Sequence, residues 1–291
     1  MMLRIPCAAL VSWAMMCVGL AAETAAAPED DRPVEDAARF KMARPADPGL
    51  PTLFLVGDST VKCGTPGQRG WGEEFGKYFD PAKVNVVNVA IGGRSSRTFI
   101  TEGRWAATLS MMKPGDFVII QFGHNDGGPI NDDSRARGSI RGTGDETEEI
   151  DNLLTKRREV VRTYGAYLRQ YLADARAVGA TPYLCTQVPR KMWEPQGARI
   201  GRPSDGTVAW ARDVAMAENA TLLDLHETVA ASYDALGREA VEPFFADART
   251  HTTAVGADHT ARIVVGLLKG LPDSPWGGRV SPAGADVPVP E

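Results

Sequence analysis

The feature that most narrows the fold is a series of short apolar runs that do not alternate, at 53–56, 84–89, 117–122, 182–188 and 222–225. A strand with one wet face alternates apolar and polar residues, whereas a strand covered on both faces reads as an unbroken apolar run. Helical spacing fills the stretches between. The clearest case is 159–178, where Val160, Tyr164, Tyr167, Leu168, Tyr171, Leu172, Ala175 and Val178 share one face, Arg162, Arg169, Gln170 and Arg176 fall elsewhere, and Gly179 follows as a stop. A second helix is predicted over 208–219, with Asp205 or Thr207 as its cap, and a last one over 256–271, closed by Gly270 and Pro272. Strands alternating with helices predict an α/β chain: a three-layer α/β/α sandwich around a central, mainly parallel five-stranded sheet.

The ends read differently. Arg4, an apolar run from about Ile5 to Leu20, and the small residues Ala21, Ala22 and Ala25 to Ala27 have the form of a signal peptide over 1–27. The run is short for a membrane span and is broken by Pro6. The expectation is therefore an exported chain, secreted or periplasmic, with no membrane attachment after cleavage. Residues 28–50, rich in Ala, Pro, Asp and Glu, read as a linker or loose arm; 51–272 is the expected folded domain; 273–291 is a Pro/Gly-rich tail expected to pack weakly. The segment 127–155 reads as a long polar loop, of the kind that is usually functional or disordered. Net charge is −5 with no dense Lys/Arg stripe, which argues against nucleic acid as a partner. Cys7 and Cys17 fall in the leader; Cys63 and Cys185 remain, Cys185 in a strand pattern that suits a buried thiol, and whether the two meet is left open.

Polar motifs stand just past three of the apolar runs: Gly57-Asp58-Ser59-Thr60, Gly92-Gly93-Arg94-Ser95 and Gly123-His124-Asn125-Asp126, with Thr250-His251-Thr252 near the end of the domain. In an open parallel sheet these positions share one rim, where ligands bind. A lone Ser59 would be read as a helix cap, a lone Gly93 as a turn, and a lone Asn125 as an Asx turn. Together they supply a hydroxyl that needs a base, a backbone N–H free of a covering side chain, an amide donor, and in His251 the best base among four histidines. His226 reads as a cap or core residue, His259 lies in the last helix, and His124 supports its own loop.

These four motifs resemble those of the SGNH (GDSL) hydrolases. The likeness narrows to the rhamnogalacturonan acetylesterase group through Gly70-Trp71-Gly72, the stretch from Asn88 to Phe99, Glu102-Gly103-Arg104-Trp105, Pro114-Gly115-Asp116, the stretch from Gln121 to Asp126, the stretch from Gly142 to Glu146, Tyr164-Gly165, Val188-Pro189-Arg190 and the Thr250 motif, over about 52–271. The resemblance implies Ser59 as nucleophile, His251 as general base, and Ser59 N–H, Gly93 N–H and the Asn125 amide as an oxyanion hole. It implies acetylated plant polysaccharide as substrate, with rhamnogalacturonan foremost. The family usually places the orienting Asp three residues before the His, but Ala248 stands there and Asp247 lies one residue further back. Either an insertion lets Asp247 reach the imidazole, or a Ser–His dyad operates; Asp258 is the weaker substitute.

Nothing in such acyl transfer calls for a cofactor or metal, and no metal-ligand spacing is found. Arg94, Arg97, Arg104 and Arg190 are candidate contacts to uronate carboxylates, and Trp71, Trp105 and Trp193 to sugar rings, each against the plainer reading of an ion pair or core packing. The competing functions are an esterase acting on acetylated xylan or a small acyl ester, and a non-catalytic carbohydrate-binding protein.

Overall fold

The computed structural model describes residues 40–290 except 196 and 198. The expected signal peptide and the first part of the arm lie outside the described residues. The strands are β1 (Thr52–Gly57), β2 (Asn85–Asn88), β3 (Phe117–Gln121), β4 (Thr147–Asp151), β5 (Arg158–Arg162), β6 (Thr181–Cys185) and β7 (Thr221–Leu223). The helices are α1 (Trp71–Glu74), α2 (Ser96–Thr101), α3 (Arg104–Leu109), α4 (Tyr164–Ala177), α5 (Thr207–Ala217), α6 (Leu225–Leu236), α7 (Arg238–Val241), α8 (Ala254–Lys269) and α9 (Pro282–Ala285).

The central sheet has the order β2-β1-β3-β6-β7, with every neighbouring pair parallel. Alternate strand residues feed two cores. Leu53, Leu55, Ile119, Tyr183, Cys185 and Leu223 pack with α1, α6 and α8, while Phe54, Val56, Val87, Val118, Ile120 and Leu184 pack with α2, α4 and α5. All of these are buried, so the unbroken apolar runs have a physical reason: neither face of the sheet meets water. The strand order reverses direction at β1, whose neighbours are β2 and β3, so a crevice opens beyond the carboxyl ends of β1 and β3.

Five expectations change. The helix predicted from 159 begins at Tyr164, and the residues before it form β5, which pairs antiparallel with β4. Val160 is half exposed on this hairpin while Val161 is buried. The polar stretch 127–155 therefore carries a strand. The cap of α5 is Gly206 rather than Asp205 or Thr207. The tail is not peripheral: Trp276 is fully buried, its ring lies edge-on to Phe79, and its indole N–H donates to Tyr183 Oη at 3.3 Å. The described part of the arm is docked too. Asp47 and Asn85 exchange hydrogen bonds of 3.0 and 2.7 Å, and the Phe40 ring lies 4.6 Å from the Arg104 guanidinium. Cys63 and Cys185 are both buried free thiols, and burial pushes the Cys185 thiol pKa upward.

Candidate functional site

Ser59 sits in the turn that leaves β1. Asp58 Oδ1 accepts the Thr60 N–H and the Thr60 hydroxyl, both at 2.8 Å, and the Asp58 carbonyl accepts from Val61 and Lys62 at 3.1 and 3.0 Å. Gln121, the last residue of β3, ties this turn to the core. Its amide donates to Thr60 Oγ1 at 2.7 Å and its carbonyl accepts the Trp71 indole N–H at 2.8 Å. The Gly70-Trp71-Gly72 segment then packs directly on the turn: a Cβ at Gly70 would lie 2.3 Å from the Val61 carbonyl carbon, a contact no side chain tolerates.

The second motif follows β2 and runs alongside Ser59. A Cβ on Gly92 would come within 3.4 Å of Ser59 Cβ. Gly93 has φ +82°, the left-handed region that favours glycine. Asn125, buried in the loop after β3, donates one amide N–H to Arg94 O at 2.7 Å, which fixes the Arg94–Ser95 peptide. A primary amide carries a second N–H. Asp126 clamps the same loop: its Oδ1 accepts Ser96 N, Ser96 Oγ and Ser139 Oγ at 3.1, 2.5 and 2.9 Å. Burial pushes its pKa up to about 6 against the pull of those donors.

His251 closes the arrangement. Its Nε2 lies 2.9 Å from Ser59 Oγ and its Nδ1 2.5 Å from Asp247 Oδ2. The one-residue offset of the acid is absorbed by a tight turn. Asp247 Oδ1 accepts the N–H groups of Arg249, Thr250 and His251 at 3.0, 2.7 and 3.1 Å, so one oxygen caps the turn while the other faces the ring. Burial alone would raise the Asp247 pKa; the Thr250 N–H, the His251 ring and the other two N–H donors outweigh it and hold the carboxyl well below the usual carboxylate range. Thr252 clips the loop to Arg69 through two hydrogen bonds, of 2.8 and 2.7 Å. A hydroxyl, an imidazole within reach of it and a carboxylate that orients the ring are the parts that can activate an alcohol for attack.

The other candidates have protein partners of their own. Arg97 is fully buried, paired through Nε and Nη2 with Glu159 at 2.7 and 2.8 Å, and donates to the carbonyls of Ile130 and Gly138 at 2.7 Å each. Trp71 is buried against Gln121, and Trp105 is buried with its N–H on Asp174 at 2.9 Å. Arg94 and Arg104 share the Glu102 carboxylate, at 3.0 and 2.7 Å. Trp193 lies under the Arg238 guanidinium, and Arg190 donates to His124 O at 3.5 Å. Asp258 serves Lys77 and Tyr78, and His259 meets Ser232 Oγ at 2.9 Å. His226 is buried at the start of α6, its pKa lowered by burial to about 4. Sequence reasoning gave no role to Gln121, though it opens one of the motifs, and passed over Arg137. Arg137 sits on the polar loop and donates from Nη1 to Gly93 O at 3.1 Å. Among the described residues, no three His, Cys, Asp or Glu side chains gather as metal ligands would, and no helix is long and apolar enough to cross a membrane.

The sequence model of the GDSL-like Lipase/Acylhydrolase family matches residues 55–259. The chain is 34% identical over 211 residues to the rhamnogalacturonan acetylesterase of Emericella nidulans, covering 72% of this chain and 81% of that protein. It is 35% identical over 229 residues to the Bacillus subtilis protein named Probable rhamnogalacturonan acetylesterase YesY, covering 76% and 94%. Among solved structures, Bacillus subtilis YxiM superposes with a TM-score of 0.60 at 26% identity, over 76% of this chain and 56% of that one. An acetylxylan esterase from Geobacillus stearothermophilus superposes with a TM-score of 0.50 at 18% identity, over 76% and 95%, a likeness of fold alone.

Proposed function

The chain belongs to the GDSL-like lipase/acylhydrolase family and is an esterase, and from that premise we propose that it removes acetyl groups from an acidic plant cell-wall polysaccharide, rhamnogalacturonan foremost, by a serine acyl-enzyme route. The observation that carries the mechanism is the line from Ser59 Oγ through the His251 ring to Asp247, with contacts of 2.9 and 2.5 Å. In this reading His251 Nε2 takes the Ser59 proton as Oγ attacks the acetyl carbonyl. The developing oxyanion lies against Ser59 N–H, Gly93 N–H and the second N–H of Asn125. His251 returns the proton to the departing sugar oxygen, and water, activated by the same base, releases acetate. The ionised Asp247 holds the Nδ1–H tautomer and balances the imidazolium.

The names of the relatives support the substrate class. The leader expected over 1–27 fits export to where such a substrate lies. The test is acetate release from acetylated rhamnogalacturonan, with Ser59→Ala as the zero. Turnover that disappears in the variant is the expected result. No release from it, with acetylated xylan turned over instead, overturns the substrate and leaves the esterase chemistry standing.

A further inference from the structure

Around Ser59 the guanidinium groups divide by whether a carboxylate answers them. Arg94 and Arg104 are matched by Glu102, and Arg97 by Glu159. Arg137 and Arg190 are not: no carboxylate among the described residues forms an ion pair with either, and Arg190 turns to the His124 carbonyl. Of the two, Arg137 is the one at the Gly92-Gly93 motif, where its hydrogen bond goes to the Gly93 carbonyl. It is half-buried, and the surrounding protein lowers its pKa through burial and through Arg135, with Asp58, Asp126 and Asp132 pulling the other way. A half-buried cation without a partner is costly unless something arrives to pair with it.

Its place is specific. A Cβ on Gly93 would lie 3.8 Å from Arg137 Nη1, and the neighbouring Gly92 borders Ser59. The loop that presents Arg137 is held on both sides. Ala136 is buried and donates to Asp132. Gly138 donates to Pro129 O at 2.8 Å and its carbonyl is gripped by the buried Arg97. Ser139 is fastened to Asp126 by backbone and side chain, both at 2.9 Å. The side-chain stem lies along Gly128, where a Cβ would stand 3.6 Å from Arg137 Cγ. A guanidinium has five N–H donors, so most of this fork remains for a ligand, held against Gly93 of the motif that borders Ser59.

We infer that Arg137 is the carboxylate anchor of the sugar that carries the acetyl group, binding the uronate carboxylate through its free guanidinium edge and so selecting acetylated uronic residues over neutral ones. This rests on the polysaccharide reading above. It also gives the arrangement of Arg97 a purpose: the buried pair with Glu159 holds the loop, and the loop holds the anchor.

The test compares kcat/KM on acetylated rhamnogalacturonan oligosaccharides with kcat/KM on the same oligosaccharides after methyl esterification of their carboxyls. Wild type is expected to prefer the free acid about 10- to 100-fold, the range of a charge-assisted hydrogen-bonded pair. Arg137→Gln is expected to bring that ratio close to one, and Arg137→Lys, which keeps the charge and loses the fork, to retain part of it. A merely structural role would lower both rates together and leave the ratio in place, which would overturn the assignment. Equal wild-type rates on acid and ester would overturn it as well. A wild type that hydrolyses aryl acetate but neither oligosaccharide would sink the polysaccharide reading and the assignment with it.

Discussion

Replacing Asp247 by Asn isolates the electrostatic part of the Ser59–His251–Asp247 line. The carboxylate uses its two oxygens differently: Oδ1 accepts three backbone N–H groups and Oδ2 faces His251 Nδ1 at 2.5 Å. In Asp247→Asn the amide oxygen would stay with the three N–H donors, because a flip would set its NH2 against them. The NH2 then points at Nδ1 and donates to it, so the ring proton moves to Nε2. That nitrogen lies 2.9 Å from Ser59 Oγ and would meet it as a donor, unable to take its proton. The same change in a Ser-His-Asp site lowers kcat by about 10⁴, or about 5.4 kcal/mol of barrier at 1.36 kcal/mol per tenfold. The turn keeps its cap but loses the ionised carboxylate that the three N–H donors and the ring stabilise, so the melting temperature should fall modestly while the variant stays folded. Asp247 has its pKa lowered in the fold, so its contribution to stability is present above the unfolded value of about 3.9 and is lost only as pH falls through the folded one. The assay is steady-state hydrolysis of an aryl acetate, with Ser59→Ala as the zero and a thermal melt alongside. A rate within tenfold of wild type, in a variant that the melt shows to be folded, would refute the reasoning and leave a Ser59–His251 dyad.

Other expectations follow from the packing and the buried charges. Arg97→Met breaks a buried ion pair and should cost about 3–5 kcal/mol, roughly 10 °C in Tm for a chain of this size; a melt within 2 °C of wild type would show that the pair does not hold the loop. Trp276→Ala should cost about 3–5 kcal/mol of stability in urea titration, because the ring is fully buried among Phe79, Phe117 and Tyr183; a loss under 1 kcal/mol would mean the tail is peripheral after all. Two buried groups act oppositely on stability against pH. His226, lowered to about 4 from an unfolded value near 6.5, loses about 3 kcal/mol as pH falls across that window. Asp126, raised to about 6 from an unfolded value near 3.9, loses about 3 kcal/mol as pH rises across its own. His226→Gln should therefore leave stability that falls between pH 4 and 6, and Asp126→Asn stability that rises; urea midpoints at four pH values would show the two slopes, and slopes of the same sign would refute the assignment.

What was legible in the sequence was what burial writes locally. Strands covered on both faces admit polar residues only at their ends, such as Thr52 and Gln121, so β1, β3 and β6 stand out as apolar runs, and the motifs past their ends mark the rim. The β4–β5 hairpin was illegible because β4 has one buried apolar side chain, Ile150, and because Val160 and Tyr164 are four apart, a spacing that suits a helix as well as a chain that changes structure between them. That hairpin is anchored by Arg97 and Glu159, 62 residues apart, a pairing no local window contains. The same limit holds for the arginines. A run of sequence shows which residues carry charge but not which charges are already answered: of the four candidate contacts, Arg94, Arg97 and Arg104 have carboxylates of their own, while Arg190 turns to a carbonyl. Asp247 could be posed as a question from its spacing, yet only the turn built by three N–H donors on one oxygen brings the other oxygen to the imidazole. Arg137 drew no notice in a loop without period, and its interest is a property of its surroundings: a guanidinium becomes material for recognition where the fold fixes its position and leaves its charge without a partner.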